Sequence, residues 1–68
     1  MNEETFNMSI RKFLKMVGIK SQHEIEQAVN KMMEGGTLSG TEHFPAKVTL
    51  AVPKLGINVV FDGEIRLD

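Results

Sequence analysis

Cysteine, tryptophan and tyrosine are all missing from this sequence, and phenylalanine, with 4 residues, is its only aromatic. Without cysteine there is neither a disulfide nor a thiolate metal site, the two supports on which very small domains most often rely. Stability must then come from packing or from a partner. No apolar run approaches the ~20 residues of a membrane span, and the opening MNEETFNM carries acids where a signal sequence would have a basic stretch. A cytoplasmic location, away from the membrane, is the expectation. An excess of positive charge is lacking too. With 8 Lys and Arg against 9 Asp and Glu the net charge is −1, so no bulk field draws the chain to nucleic acid or anionic lipid, and such binding must rest on a local patch.

What is present is 41% apolar and 25% charged residues in a chain of 68, the composition of a folded protein rather than of a disordered tail. That length gives one small domain, residues 1–68, near the limit at which a chain stabilises itself without staples. A core of this size is marginal for a monomer, which makes a weak homodimer or a bound protein partner an expectation in its own right.

From Glu3 onward, Phe6, Ile10, Phe13, Leu14 and Val17 recur at spacings that fall within one arc of a helix. Glu3 and Glu4 open it while Arg11, Lys12 and Lys15 close it, which suits the helix dipole. Gly18 then offers a left-handed stop. Ser21 with Glu24 three residues on has the form of a capping box, in which hydroxyl and carboxylate each satisfy an orphan N–H. A second helix follows on Ile25, Ala28, Val29, Met32 and Met33 and ends at Gly35-Gly36. The reading is of two helices joined by residues 18–20, a helix-turn-helix-like corner.

Residues 35–46, GGTLSGTEHFPA, read as a loop anchored by Leu38. Beyond it the period changes from 3.6 to 2. Val48, Leu50 and Val52 alternate with polar or small residues, PKLG makes a turn, and Ile57, Val59, Phe61, Ile65 and Leu67 alternate again, the pattern of an antiparallel hairpin with one apolar face. Pairing Val52 with Ile57, Leu50 with Val59, Val48 with Phe61 and Phe44 with Ile65 keeps all of these on that face and leaves a four-residue loop. Gly63 falls at an inward position, where a bulge or a close approach is expected. The fold class is therefore α+β, two N-terminal helices and a C-terminal antiparallel β-hairpin, with room for a short third strand near Leu38.

The chemistry-bearing residues are sparse. His23 and His43 belong to no ligand spacing, Ser21 is absorbed by capping, and Gly35-Gly36 lacks the strand before and the GK[ST] after that a phosphate loop needs. No catalytic, cofactor-binding or metal-binding residue is assigned, and no enzyme activity or cofactor is expected. Helix one carries a better surface: Met8 stands on its polar side among Arg11, Lys12 and Lys15, an adaptable apolar contact ringed by cations that suits an acidic partner helix. Val60 looks away from the apolar face of the hairpin and joins this partner-binding set. The alternative is a nucleic-acid-binding domain of truncated winged-helix type, which would read bases with Lys20, His23, Gln27, Asn30 and Lys31 and touch the backbone with Lys54. Glu24, Glu26 and Glu34 on the same helix repel phosphates, so nucleic acid is disfavoured.

The opening MNEETFNMSIRKFLKMVGIKSQHEIEQAV resembles the N-terminus of a family of short bacterial proteins, mostly proteobacterial, known only as a domain of unknown function. The likeness extends over most of the chain, with the hairpin AKVTLAVPKLGINVVFDGEIRL the less specific part. The family carries no assigned activity, so the resemblance implies a bacterial origin and transfers no functional residue. A small non-enzymatic interaction or regulatory module is the expectation that remains.

Overall fold

In a computed structural model, which describes residues 1–68, the chain forms α1 (Glu3–Glu34), β1 (His43–Val52), a short 3-10 turn (Pro53–Leu55) and β2 (Ile57–Arg66). It divides into two units, Met1–Thr37 and Leu38–Asp68. The class is α+β, as the periodicities require.

The first unit is one helix of 32 residues, about 48 Å long at 1.5 Å per residue. It begins at Asn2, whose side-chain Oδ1 accepts a 3.0 Å bond from the Thr5 N–H, and Glu3 and Glu4 fill the first turn beside the positive end of the dipole. It ends as the doublet glycine predicts. Gly35 is the C-cap and Gly36 takes φ +75; Gly36 N–H then donates to Met33 O at 3.1 Å and Thr37 N–H to Met32 O at 3.0 Å. These two bonds make a Schellman closure and satisfy carbonyls that the last turn leaves open.

The expected helix-turn-helix-like corner does not exist. α1 runs through residues 18–20 without a break, Gly18 has no positive φ, and Ser21 lies in the helix interior rather than at a cap. The physical reason is a comparison of costs. Gly in a helix interior loses about 1 kcal/mol relative to Ala. Breaking the ladder there would orphan about four N–H and four C=O groups, of which a capping box recovers two. The residues around Gly18, including Leu14, Lys15, Met16, Lys20, Gln22 and Glu24, are good helix formers, and no proline enforces a stop. Glu24 is thus free of a capping role, while Gln22 Nε2 donates to Glu26 Oε2 at 3.3 Å one turn along.

The second unit is a two-stranded antiparallel hairpin. Its register matches the alternation of the sequence: Val52 opposite Ile57, Leu50 opposite Val59, Val48 opposite Phe61, Ala46 opposite Gly63 and Phe44 opposite Ile65. All five pairs share one face because side chains alternate along a strand. Residues 53–56 close the loop, with Pro53 starting the 3-10 turn and Gly56 at φ +69 accepting the left-handed conformation that reverses the chain. Gly63 carries no bulge; it pairs in register with Ala46, and the two small residues leave a notch between the Phe44–Ile65 and Val48–Phe61 pairs. The third strand expected near Leu38 is absent, since the sheet has two strands and Leu38 precedes β1 outside both.

Leu67 N–H donates to Glu42 O at 3.0 Å. Those residues are the next opposed pair beyond His43 and Arg66, so the hydrogen-bonded pairs are the ones on even-numbered residues of β1. Pro45 therefore falls at a non-hydrogen-bonded pair, where its missing N–H points away from β2 and costs the ladder nothing.

Neither unit contains a buried side chain. On the apolar side of α1, Phe6 keeps 48% and Phe13 45% of their surface exposed, and on the hairpin Phe61 keeps 56%. Side chains of this size ordinarily form the core of a domain.

Candidate functional site

Met8, Arg11, Lys12 and Lys15 stand at helical spacings of 3, 4 and 7 from Met8, which sets them on one side of α1 in its first half. Together with Glu4 and Thr5 they line a shallow open hollow along the helix. Met8 is 62% exposed at its centre. The ion pairs of the chain all involve His43, so the three cations around Met8 have no carboxylate within 4 Å and remain free for an incoming acid. The helix thus brings together four of the five partner-binding residues read from the sequence; the fifth, Val60, lies in the other unit opposite Thr49 on the polar face of the hairpin, exposed.

The nucleic-acid set is placed differently from the way the corner implied. Lys20, His23, Gln27, Asn30 and Lys31 all belong to the second half of the same continuous helix, and Lys54 lies in the hairpin turn. There is no separate recognition helix for the first five to occupy, and Glu24, Glu26 and Glu34 are interleaved with them. A winged-helix docking, which needs two helices crossing at a turn, loses its geometric basis.

The loop before β1 holds a feature that the sequence reading missed. The Glu42 carboxylate is wrapped by the chain that leads up to it: Ser39 N–H donates at 2.9 Å to Oε2 and 3.2 Å to Oε1, Gly40 N–H at 3.0 Å and Thr41 N–H at 3.2 Å to Oε1, and Ser39 Oγ at 3.1 Å to Oε2. Three consecutive N–H groups converging on an anion make a nest. The Ser39 N–H above all, then the Gly40 and Glu42 amides and the Ser39 hydroxyl, hold this carboxyl well below the usual range, at about 2 against 4.5. The signal in the sequence was S-G-T-E, small residues able to turn the backbone toward the acid that follows. Because the chain's own carboxylate fills it, the nest organises the loop rather than receiving a ligand.

At the far end of the hairpin, His43 Nε2 lies 2.6 Å from Asp68 Oδ1, and Nδ1 lies 3.9 Å from Glu64 Oε1. The contact ties the residues after β2 to the start of β1. No hydroxyl is aligned with this histidine: Ser9 Oγ donates to Phe6 O at 2.8 Å in α1, and Ser39 Oγ is engaged by Glu42 and Thr41. No group of three or more His, Cys, Asp or Glu is arranged to hold a metal ion, and no helix is long and apolar enough to cross a membrane.

The Met8 side of α1 thus presents an exposed apolar side chain among unpaired cations. No curated protein and no solved structure matches the chain. Over residues 1–68 it matches the model of a family of unknown function, DUF6494, and to that family the chain belongs.

Proposed function

We propose that the protein is a non-enzymatic interaction module that docks an acidic, amphipathic segment of another protein along the first half of α1. The observation that carries this reading is the conjunction at Met8: a large flexible apolar side chain left 62% exposed, set among Arg11, Lys12 and Lys15 with no carboxylate of the chain paired to them. Methionine adapts its shape to irregular apolar partners, and a ring of cations steers an acidic partner and fixes its register. The exposed Val60 on the hairpin offers a second, smaller apolar contact on the other unit.

Duplex DNA is the poorer occupant. A helix that interleaves three carboxylates with its would-be base readers meets repulsion from phosphates at every turn, and the net charge of −1 gives no compensating field.

The test is affinity capture from native cell extract with the tagged protein and with Met8→Glu, followed by titration of the captured partner at two salt concentrations. The expected result is a partner held through an acidic segment, its affinity falling at least tenfold with Met8→Glu and weakening with salt. A partner bound equally by both forms, or a sequence-preferring duplex bound near 10 nM, overturns the proposal.

A further inference from the structure

The side of α1 opposite Met8 carries a stripe that is complementary to itself. Because the helix is continuous, Phe6, Ile10, Phe13, Leu14, Val17, Ser21, Ile25, Ala28 and Met32 fall in one arc about 120° wide, which also takes in the charged Glu24. Their spacings with Glu24 included, 4, 3, 1, 3, 4, 3, 1, 3 and 4 residues, read the same in both directions about Ile19. A second helix laid antiparallel across the first, with the two-fold axis level with Ile19, sets Phe6 against Met32, Ile10 against Ala28, Phe13 against Ile25, Val17 against Ser21 and Leu14 against the stem of Glu24, each pair occurring twice. This isologous matching is what a closed two-fold interface requires.

We infer that α1 pairs antiparallel with α1 of a second copy through this stripe, forming a weak homodimer that leaves the Met8 side free. Glu3 comes within about one turn of the second copy's Lys31, while Glu4 falls level with its Glu34, off the stripe, so the antiparallel sense rests on the two macrodipoles opposing each other. The residues flanking the axis, Val17 and Ser21, are smaller than the Phe, Ile and Met residues further out, so the backbones can approach closely there.

The area sets the strength. From Phe6 to Met32 the stripe is about 39 Å long, and a third of the surface of a cylinder 10–12 Å across and that long is roughly 400–500 Å². Two copies bury about 800–1,000 Å², at the lower limit for a specific interface. Association in the micromolar range or weaker follows, with the monomer and dimer exchanging.

Sedimentation equilibrium of the unaltered chain from about 1 μM to 1 mM spans that range. The expected mass rises from 7.6 kDa toward twice that value, and Phe13→Glu holds it at the lower value over the same range. The sense is read by disulfide trapping, since the chain has no cysteine of its own. Phe6→Cys mixed with Met32→Cys is expected to give a cross-linked heterodimer under oxidation, whereas Phe6→Cys alone gives none. Either a mass that stays at 7.6 kDa throughout or efficient cross-linking of Phe6→Cys with itself overturns the inference. A monomer that still captures a Met8-dependent partner refutes the homodimer and spares the docking surface; a dimer whose partner capture is indifferent to Met8→Glu does the reverse.

Discussion

Replacing Gly18 by alanine separates a continuous helix from a bent one, because the two geometries predict opposite signs. In α1 the residue has no positive φ, and a Cβ built on it meets nothing within 4 Å. The substitution therefore adds a methyl group in open space and removes the excess backbone entropy that glycine loses on entering a helix, a gain of about 0.8–1 kcal/mol. For a chain of this length that corresponds to a melting point higher by about 4–8 °C, and it should come with greater ellipticity at 222 nm, since fraying from the middle of the helix is suppressed. Gly36→Ala is the internal control. There φ is +75, a conformation that costs an L-residue about 1–2 kcal/mol, so the same chemical change should lower the melting point. Parallel thermal and urea melts followed at 222 nm measure both. If Gly18→Ala destabilised the protein as Gly36→Ala does, residue 18 would be left-handed in solution and the unbroken helix would be wrong.

Ser21→Ala should leave the midpoint unchanged or raise it by up to about 0.5 kcal/mol, as a mid-helix serine predicts, while Asn2→Ala should lower it by about 1 kcal/mol through loss of the real N-cap; a ranking reversed between the two would restore a helix start at residue 21. Acid should release the loop before β1. The Glu42 carboxyl has a folded value of about 2, depressed from 4.5, so its contribution is complete above 4.5 and is lost as pH falls from there through about 2. Amide chemical shifts of Ser39 and Gly40 should follow that transition and should cease to do so in Glu42→Gln, and shifts that titrate only with an ordinary carboxylate midpoint would show that the nest does not form.

The hairpin was legible almost residue by residue. Period-2 alternation excludes every slip of an odd number of residues, since that would move Val48, Leu50, Val52, Ile57, Val59 and Phe61 off their common face, and the four-residue loop then selects Val52 opposite Ile57. The end of α1 was equally plain in Gly35-Gly36. The middle of the helix was misleading because two local signals, Gly18 and the S-x-x-E pattern at Ser21, each mark helix ends in other contexts. The evidence against a break lay in a longer-range property, the phase of the apolar stripe. From Val17 through Ser21 to Ile25 the spacing is 4 and 4, which turns the line by about 80° yet keeps it within the one arc of about 120° through the supposed corner. Of the candidate surface, Met8 with Arg11, Lys12 and Lys15 was readable because those spacings are local to one helix. The Glu42 nest was not, because it depends on backbone N–H groups, which no residue type announces.

Pro45 bears on how this protein behaves at high concentration. Its position directs a missing donor outward along the free side of β1, where a third strand would look for an unbroken row of N–H groups, whereas the free side of β2 presents Asn58, Val60, Asp62, Glu64 and Arg66 with all their N–H groups intact. The sheet thus favours β2 over β1 as the edge for a further strand. Growth of a fibril needs a template with two competent sides, so that each added unit recreates the site just consumed; a unit competent on one side can join once and then caps what it has joined. The broken row of donors at Pro45 therefore disfavours edge-to-edge growth of this hairpin beyond a pair.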